Sequence, residues 1–172
     1  MKKKPKTAKR KAKAKTQKIT TFLTFSEGAE DAVKLYVSLF KNSRIVDMVR
    51  LPGDAPGMKG KVMVATFELA GQPFTAMNAG PSFGFAQGIS LFVSCDTQQE
   101  IDRLWEKLSA GGEQQPCGWL RDRWGVSWQI VPTALGEMMG DPDSGNSQKV
   151  MEALLQMGKI DIKTLKDAYK QR

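Results

Sequence analysis

The chain has 172 residues, 41% of them apolar and 26% charged, the composition of one globular domain with a little to spare. It contains no histidine, which excludes Ser-His-Asp and Cys-His catalysis, His-ligated zinc and the two-His-one-carboxylate iron site within this chain. Two cysteines, Cys95 and Cys117, are too few for a disulfide scaffold, and no run of 18 apolar residues offers a membrane span.

The formal net charge of +8 is unevenly spread. Ten of the 26 basic residues lie within 1–18 (Lys2, Lys3, Lys4, Lys6, Lys9, Arg10, Lys11, Lys13, Lys15 and Lys18), with no acid among them. That leaves 16 basic against all 18 acidic residues from Ile19 onward, a net of −2, so the body is mildly acidic. The basic segment has no large apolar side chain after Met1 and is expected to be disordered. It lacks the apolar middle section of a secretory signal, and cytoplasm is the expected location. Two readings of it stand. As a polybasic arm it would hold nucleic-acid phosphates without base stacking, since no aromatic residue interleaves the lysines; otherwise it is a solubilising extension. A membrane anchor has less to work with, because the segment has no cysteine to palmitoylate and Lys2 stands where myristoylation needs glycine.

From Ile19 the pattern changes. Ile19 to Phe25 is β-branched and aromatic and reads as a strand. Ser26 to Lys41 places Ala29, Ala32, Val33, Tyr36, Val37 and Phe40 at helical spacing, with Glu27, Glu30 and Asp31 at the positive end. Ser43 to Leu51 reads as a second strand, followed by the turn-rich Pro52 to Gly57. Lys61 to Leu69 and Gln72 to Asn78 form two more strands joined at Ala70-Gly71.

The second half follows the same order. Ile89 to Cys95 is a strand, and Thr97 to Glu100 is a capping box for a helix with Ile101, Leu104, Trp105 and Leu108 on one stripe. Gly111-Gly112 stops it. Extended chain runs from Gln114 to Leu120, and a strand from Val126 to Val131. If Gln114 to Leu120 divides near Pro116, both halves are β-α-β-β-β, an internal repeat. Helices are expected over Thr133 to Met139, Ser147 to Met157 and from Asp161 onward, with Asp141-Pro142-Asp143 as a break. The chain thus divides into a basic segment 1–18, a paired βαβββ body 19–132 and a helical extension 133–172 that packs on the body or on a second subunit.

Two such modules in tandem resemble the vicinal oxygen chelate superfamily, the glyoxalase, bleomycin-resistance and dioxygenase group. Three segments are similar to its PhnB-like branch, also called the 3-demethylubiquinone-9 3-methyltransferase family: Phe25 to Tyr36, Ala76 to Pro81, and Cys117 to Pro132. The resemblance implies an α+β fold: a cup-shaped, eight-stranded mixed sheet with outer helices, a ligand cavity inside and assembly as a homodimer. No glycine-rich strand-to-helix turn followed by an acidic residue is present, so methyl transfer from a nucleotide-like cofactor is not expected, and no cofactor is implied.

Metal-binding relatives use four positions, near the first, fourth, fifth and eighth strands. By resemblance these match Thr21, Asn78, Ser90 and Gln129, the last standing where a ligating glutamate would be. All four are neutral, a poor set for a divalent ion, so no metal is expected. Along the last strand Ser127, Gln129 and Val131 share one face, and Val126, Trp128 and Ile130 share the other, which suits packing under helices. Met77 and Trp119 join the four as candidate ligand-binding residues, with Trp119 either stacking on a planar ligand or closing the core, and Gln129 either touching ligand or tying strands. With no histidine to deprotonate them, Cys117 and Cys95 read as inert thiols; no catalytic residue is assigned. Arg121-Asp122-Arg123 reads as a solvated turn. Three functions remain in view: a metal-free small-molecule binder, an isomerase, lyase or dioxygenase with unusual or absent metal, and a nucleic-acid-associated protein acting through the basic segment.

Overall fold

The structure, a computed structural model, describes residues 18–51, 60–86, 88–140 and 146–170. The expectations for the basic segment, for the Pro52 to Gly57 turn and for the Asp141-Pro142-Asp143 break lie outside the described residues.

Each half builds the same unit. The first contains β1 (Thr21–Phe25), α1 (Ala29–Leu39), β2 (Arg44–Arg50), β3 (Val62–Leu69) and β4 (Gln72–Asn78). The second contains β5 (Leu91–Cys95), α2 (Gln98–Ser109), β6 (Glu113–Gln114), β7 (Trp119–Arg121) and β8 (Ser127–Pro132). Strand order is β1-β4-β3-β2 in one sheet and β5-β8-β7-β6 in the other, with β1/β4 and β5/β8 as the parallel pairs. The internal repeat is therefore real in space. The eight strands form two four-stranded mixed sheets, because β1 and β5 each pair on one side only and a cleft separates them.

Local chemistry explains the boundaries. Ala70 and Gly71 both take positive φ, 49° and 83°, the left-handed pair a tight β3–β4 hairpin needs. Thr97 caps α2 by accepting from the Glu100 N–H at 3.2 Å, while the Glu100 carboxylate accepts from the Asp96 N–H at 3.1 Å, so the box closes one residue early. Between β6 and β7 the chain turns through Pro116, Cys117 (φ 60°) and Gly118 (φ 81°), which divides the extended stretch where proline stands.

Register gives each sheet a covered face and an open one. In the first, Leu23 and Phe25 lie beside Ala76 and Asn78 under α1, while Phe22 and Thr24 lie beside Thr75 and Met77 on the open side. In the second, Val93 and Cys95 lie beside Ile130 and Pro132 under α2, and Phe92 lies beside Gln129 and Trp119 on the open side. The covered faces share one core containing Phe25, Tyr36, Phe67, Trp105 and Trp128.

Three helices follow: α3 (Thr133–Met139), α4 (Asn146–Leu155) and α5 (Ile162–Lys170). Met138, Val150, Leu154, Ile160 and Leu165 form their own core, with Cys117 and Val131 packed against it. The Cys117 and Gly118 N–H groups donate to the Met157 and Gly158 carbonyls at 2.7 and 2.8 Å. Gln98 uses both ends of its amide on the α4–α5 connection, donating to the Ile160 carbonyl and accepting from the Ile162 N–H. Among the described residues no helix is long and apolar enough to cross a membrane.

Candidate functional site

The gap between the sheets forms a cleft of about 460 Å³. One wall is Thr21 to Thr24 of β1; the other is Ile89 to Leu91 leading into β5, with Val126 and Ser127 behind it. Phe83 to Ala86, from the connection between the halves, contribute a third side. Phe85 anchors this connection, its ring edge-on to Phe25 at 5.0 Å. Phe22, Phe83 and Ile89 are exposed at the cleft. Its volume falls in the range of small-molecule sites.

The six residues singled out in the sequence distribute unevenly about this cleft. Thr21 and Ser90 stand on its opposite walls. Gln129 reaches it through Ser90, donating from Nε2 to the serine Oγ at 2.7 Å. Trp119 is directly opposite Gln129 in the β7–β8 pair and half-buried on the same open face. Met77 lies on the open face of the other sheet, outside the cleft lining. Asn78 is on the covered face, and its amide is committed to the backbone: Oδ1 accepts from the Ala29 N–H at 2.9 Å and Nδ2 donates to the Val62 carbonyl at 3.1 Å. That first bond satisfies a free amide at the start of α1, a service Gly28 (φ 79°) has no side chain to perform.

The donor chemistry at the four superfamily positions does not fit a divalent cation. Thr21, Asn78, Ser90 and Gln129 bring no charge, the Asn78 oxygen is already used, and Asn78 and Gln129 lie on differently disposed faces of separate sheets. Among the described residues no cluster of three or more Cys, Asp or Glu side chains offers another site. Burial foremost, then the charges of Glu100 and Asp96, push the Cys95 thiol up to about 12, which makes it a poor nucleophile, and the Cys117 thiol donates to the Leu154 carbonyl at 3.6 Å.

Within the Arg121-Asp122-Arg123 turn, expected from the sequence to be solvated, Arg121 and Arg123 reach solvent but Asp122 does not. Asp122 is 3% exposed and accepts four hydrogen bonds: from the Tyr36 hydroxyl at 2.5 Å, the Trp128 indole N–H at 3.0 Å, and the Trp124 and Val126 amides at 3.0 Å each. Burial, followed by the Asp122 charge and hydrogen bond, raises the Tyr36 pKa well above 10.0. Tyr36 comes from α1 of the first half, Asp122 from the β7–β8 turn of the second, so this bond joins the halves. The sequence carries only a local hint of this: an Asp beside Trp and Gly can close an Asx-type turn, which marks the turn but not its burial. Phe83, Phe85 and Ile89 were missed as cleft residues, since they sit in a connection whose path no periodicity reveals.

Two four-stranded sheets of identical topology, each from a βαβββ unit, define a glyoxalase-fold protein of the vicinal oxygen chelate superfamily. The sequence profile of the 3-demethylubiquinone-9 3-methyltransferase (PhnB-like) family matches residues 17–131, and the chain belongs to that family. Among solved structures, the PhnB protein of Bacillus cereus, which carries the same family name, is 40% identical over 68% of this chain and 100% of its own, with a TM-score of 0.64. Protein PA1353 of Pseudomonas aeruginosa is 24% identical over 68% of this chain and 98% of its own, with a TM-score of 0.57. The fosfomycin resistance protein FosX of Mesorhizobium loti shares the fold at 13% identity, with a TM-score of 0.52 over 74% of this chain and 100% of its own. No curated protein matches.

Proposed function

We propose that this protein is a metal-independent small-molecule binder, working as a cytoplasmic homodimer, with its ligand held between the two sheets. The observation that carries this reading is the cleft itself, which has apolar walls and a few hydroxyl groups, while the superfamily's chelating positions hold no charge and one of them, Asn78, is turned to the backbone on the covered face. Two free thiols suit a reducing compartment. The dimer rests on exposed apolar side chains outside the cleft lining, Ile19 and Phe92, which a second copy would cover. The test is to purify the full chain without chelator, measure its metal content, and screen a ligand library by thermal shift before and after EDTA treatment. Ligands that stabilise the protein equally in both states are the expected result. Stoichiometric metal, with binding lost on chelation, overturns the reading.

A second reading is favoured by the charge partition. Ten basic residues and no acids in 1–18, ahead of a body of net charge −2, suit non-specific retention on nucleic acid. Deleting residues 2–17 abolishes salt-sensitive DNA retention on this reading; unchanged retention disposes of it.

A further inference from the structure

We infer that the cleft between β1 and β5 takes an uncharged, largely apolar ligand that presents a carbonyl or hydroxyl oxygen to Ser127; this rests on the small-molecule reading above and narrows it. None of the 13 side chains or glycines lining the cleft ionises. A carboxylate or phosphonate entering it would shed water and meet no countercharge among the described lining residues, whereas an aromatic or alicyclic body finds Phe22, Phe83 and Phe85.

Ser127 supplies the polar end. It is 4% exposed and lines the cleft, and its hydroxyl has no hydrogen-bond partner among the described residues. No fully buried polar side-chain atom lacks a partner among those residues, so the Ser127 oxygen is accessible, and the cleft is the space beside it. An oxygen reachable from the cleft but otherwise shielded offers an entering ligand one hydrogen bond on a largely apolar wall. Ser90, also in the lining, already accepts the Gln129 amide proton, and the Thr21 and Thr24 hydroxyls belong to half-buried residues, so Ser127 is the most buried lining hydroxyl with both donor and acceptor capacity open.

Three probes of one shape separate these terms: 2-acetylnaphthalene, 2-naphthoate and 2-ethylnaphthalene, titrated into isotopically labelled full-length protein at about 0.15 M salt and followed by amide chemical shifts. The ketone is expected to shift Thr21 to Thr24 and Val126–Ser127 and to bind at least about tenfold more tightly than the carboxylate. Ser127→Ala should weaken the ketone about fivefold or more and leave the ethyl compound unchanged. Ile89→Lys, at a position 78% exposed where the fold tolerates charge, should turn the preference towards naphthoate and provides the test should Ser127→Ala misfold. Carboxylate binding as tight as ketone binding, or equal losses for ketone and ethyl compound in Ser127→Ala, overturns this inference and leaves the small-molecule reading standing. Saturation with no probe shifting these amides overturns both.

Discussion

Replacing Asp122 by alanine removes the acceptor of two buried donors at once, the Tyr36 hydroxyl and the Trp128 indole N–H, and of two backbone amides. Urea unfolding should show a loss of about 3 kcal/mol or more, and Tyr36→Phe alone a smaller loss of roughly 1.5–3 kcal/mol, both measured as midpoint shifts at constant slope. The two effects should fall short of additivity in the double variant, since they share one bond. A pH titration reads the same contact from another side. Because the folded pKa of Tyr36 is raised, its contribution to stability is intact below about pH 10 and is lost as pH rises through the folded value. Phenolate absorbance should therefore show a late step coincident with alkaline unfolding, and Tyr36→Phe should remove it. At this scale the sequence was partly legible. Alternation alone put Gln129 on the face away from the helices. It could not reveal that Asp122 is buried, because Arg on either side imitates a surface turn and the donors come from 86 and 6 residues away.

Among the elements, the attachment of the helical extension depends on Gly118. Its φ of 81° is in the left-handed region, and an added Cβ would lie 2.7 Å from the Ile130 carbonyl oxygen and 2.8 Å from the Ile160 Cδ1. Gly118→Ala should cost at least about 1–3 kcal/mol and raise amide exchange across α4 and α5 more than across β1–β4. Gln98→Ala removes the two hydrogen bonds that its amide makes to the α4–α5 connection, and should speed exchange of the Ile162 amide without altering the sheets. Strands of the first half were readable nearly to the residue, because Ala70-Gly71 and the alternation in β3 and β4 define turn and register together. The β6–β7 stretch was not, as two and three residues are too few to show a period. Helix α1 begins three residues later than its apolar spacing suggested. Gly28 is held in the left-handed region against Trp124, where a Cβ would approach the indole nitrogen to 2.6 Å, and that constraint comes from the other half of the chain.

For the molecule as a whole, the apolar side chains Ile19 (85% exposed) and Phe92 (58% exposed) give the proposed dimer a direct test. Sedimentation equilibrium should find a dimer for the native chain and a shift to monomer for the Ile19→Glu, Phe92→Glu double variant, with helix content unchanged; a monomeric native chain defeats the proposal. Duplication was visible in the order of elements, yet the division into two sheets was not, because nothing in a strand's own residues tells whether its outer edge is paired. The Tyr36–Asp122 bond has a consequence for ancestry. Each half would emerge from a severed gene with a burden it cannot discharge alone: an α1 whose phenol has lost its mate, or a turn whose carboxylate sits sealed beneath one fewer donor. The repeats are thus tethered by chemistry as well as by peptide, and any recombination that replaces one of them must bring a compatible tyrosine or aspartate with it.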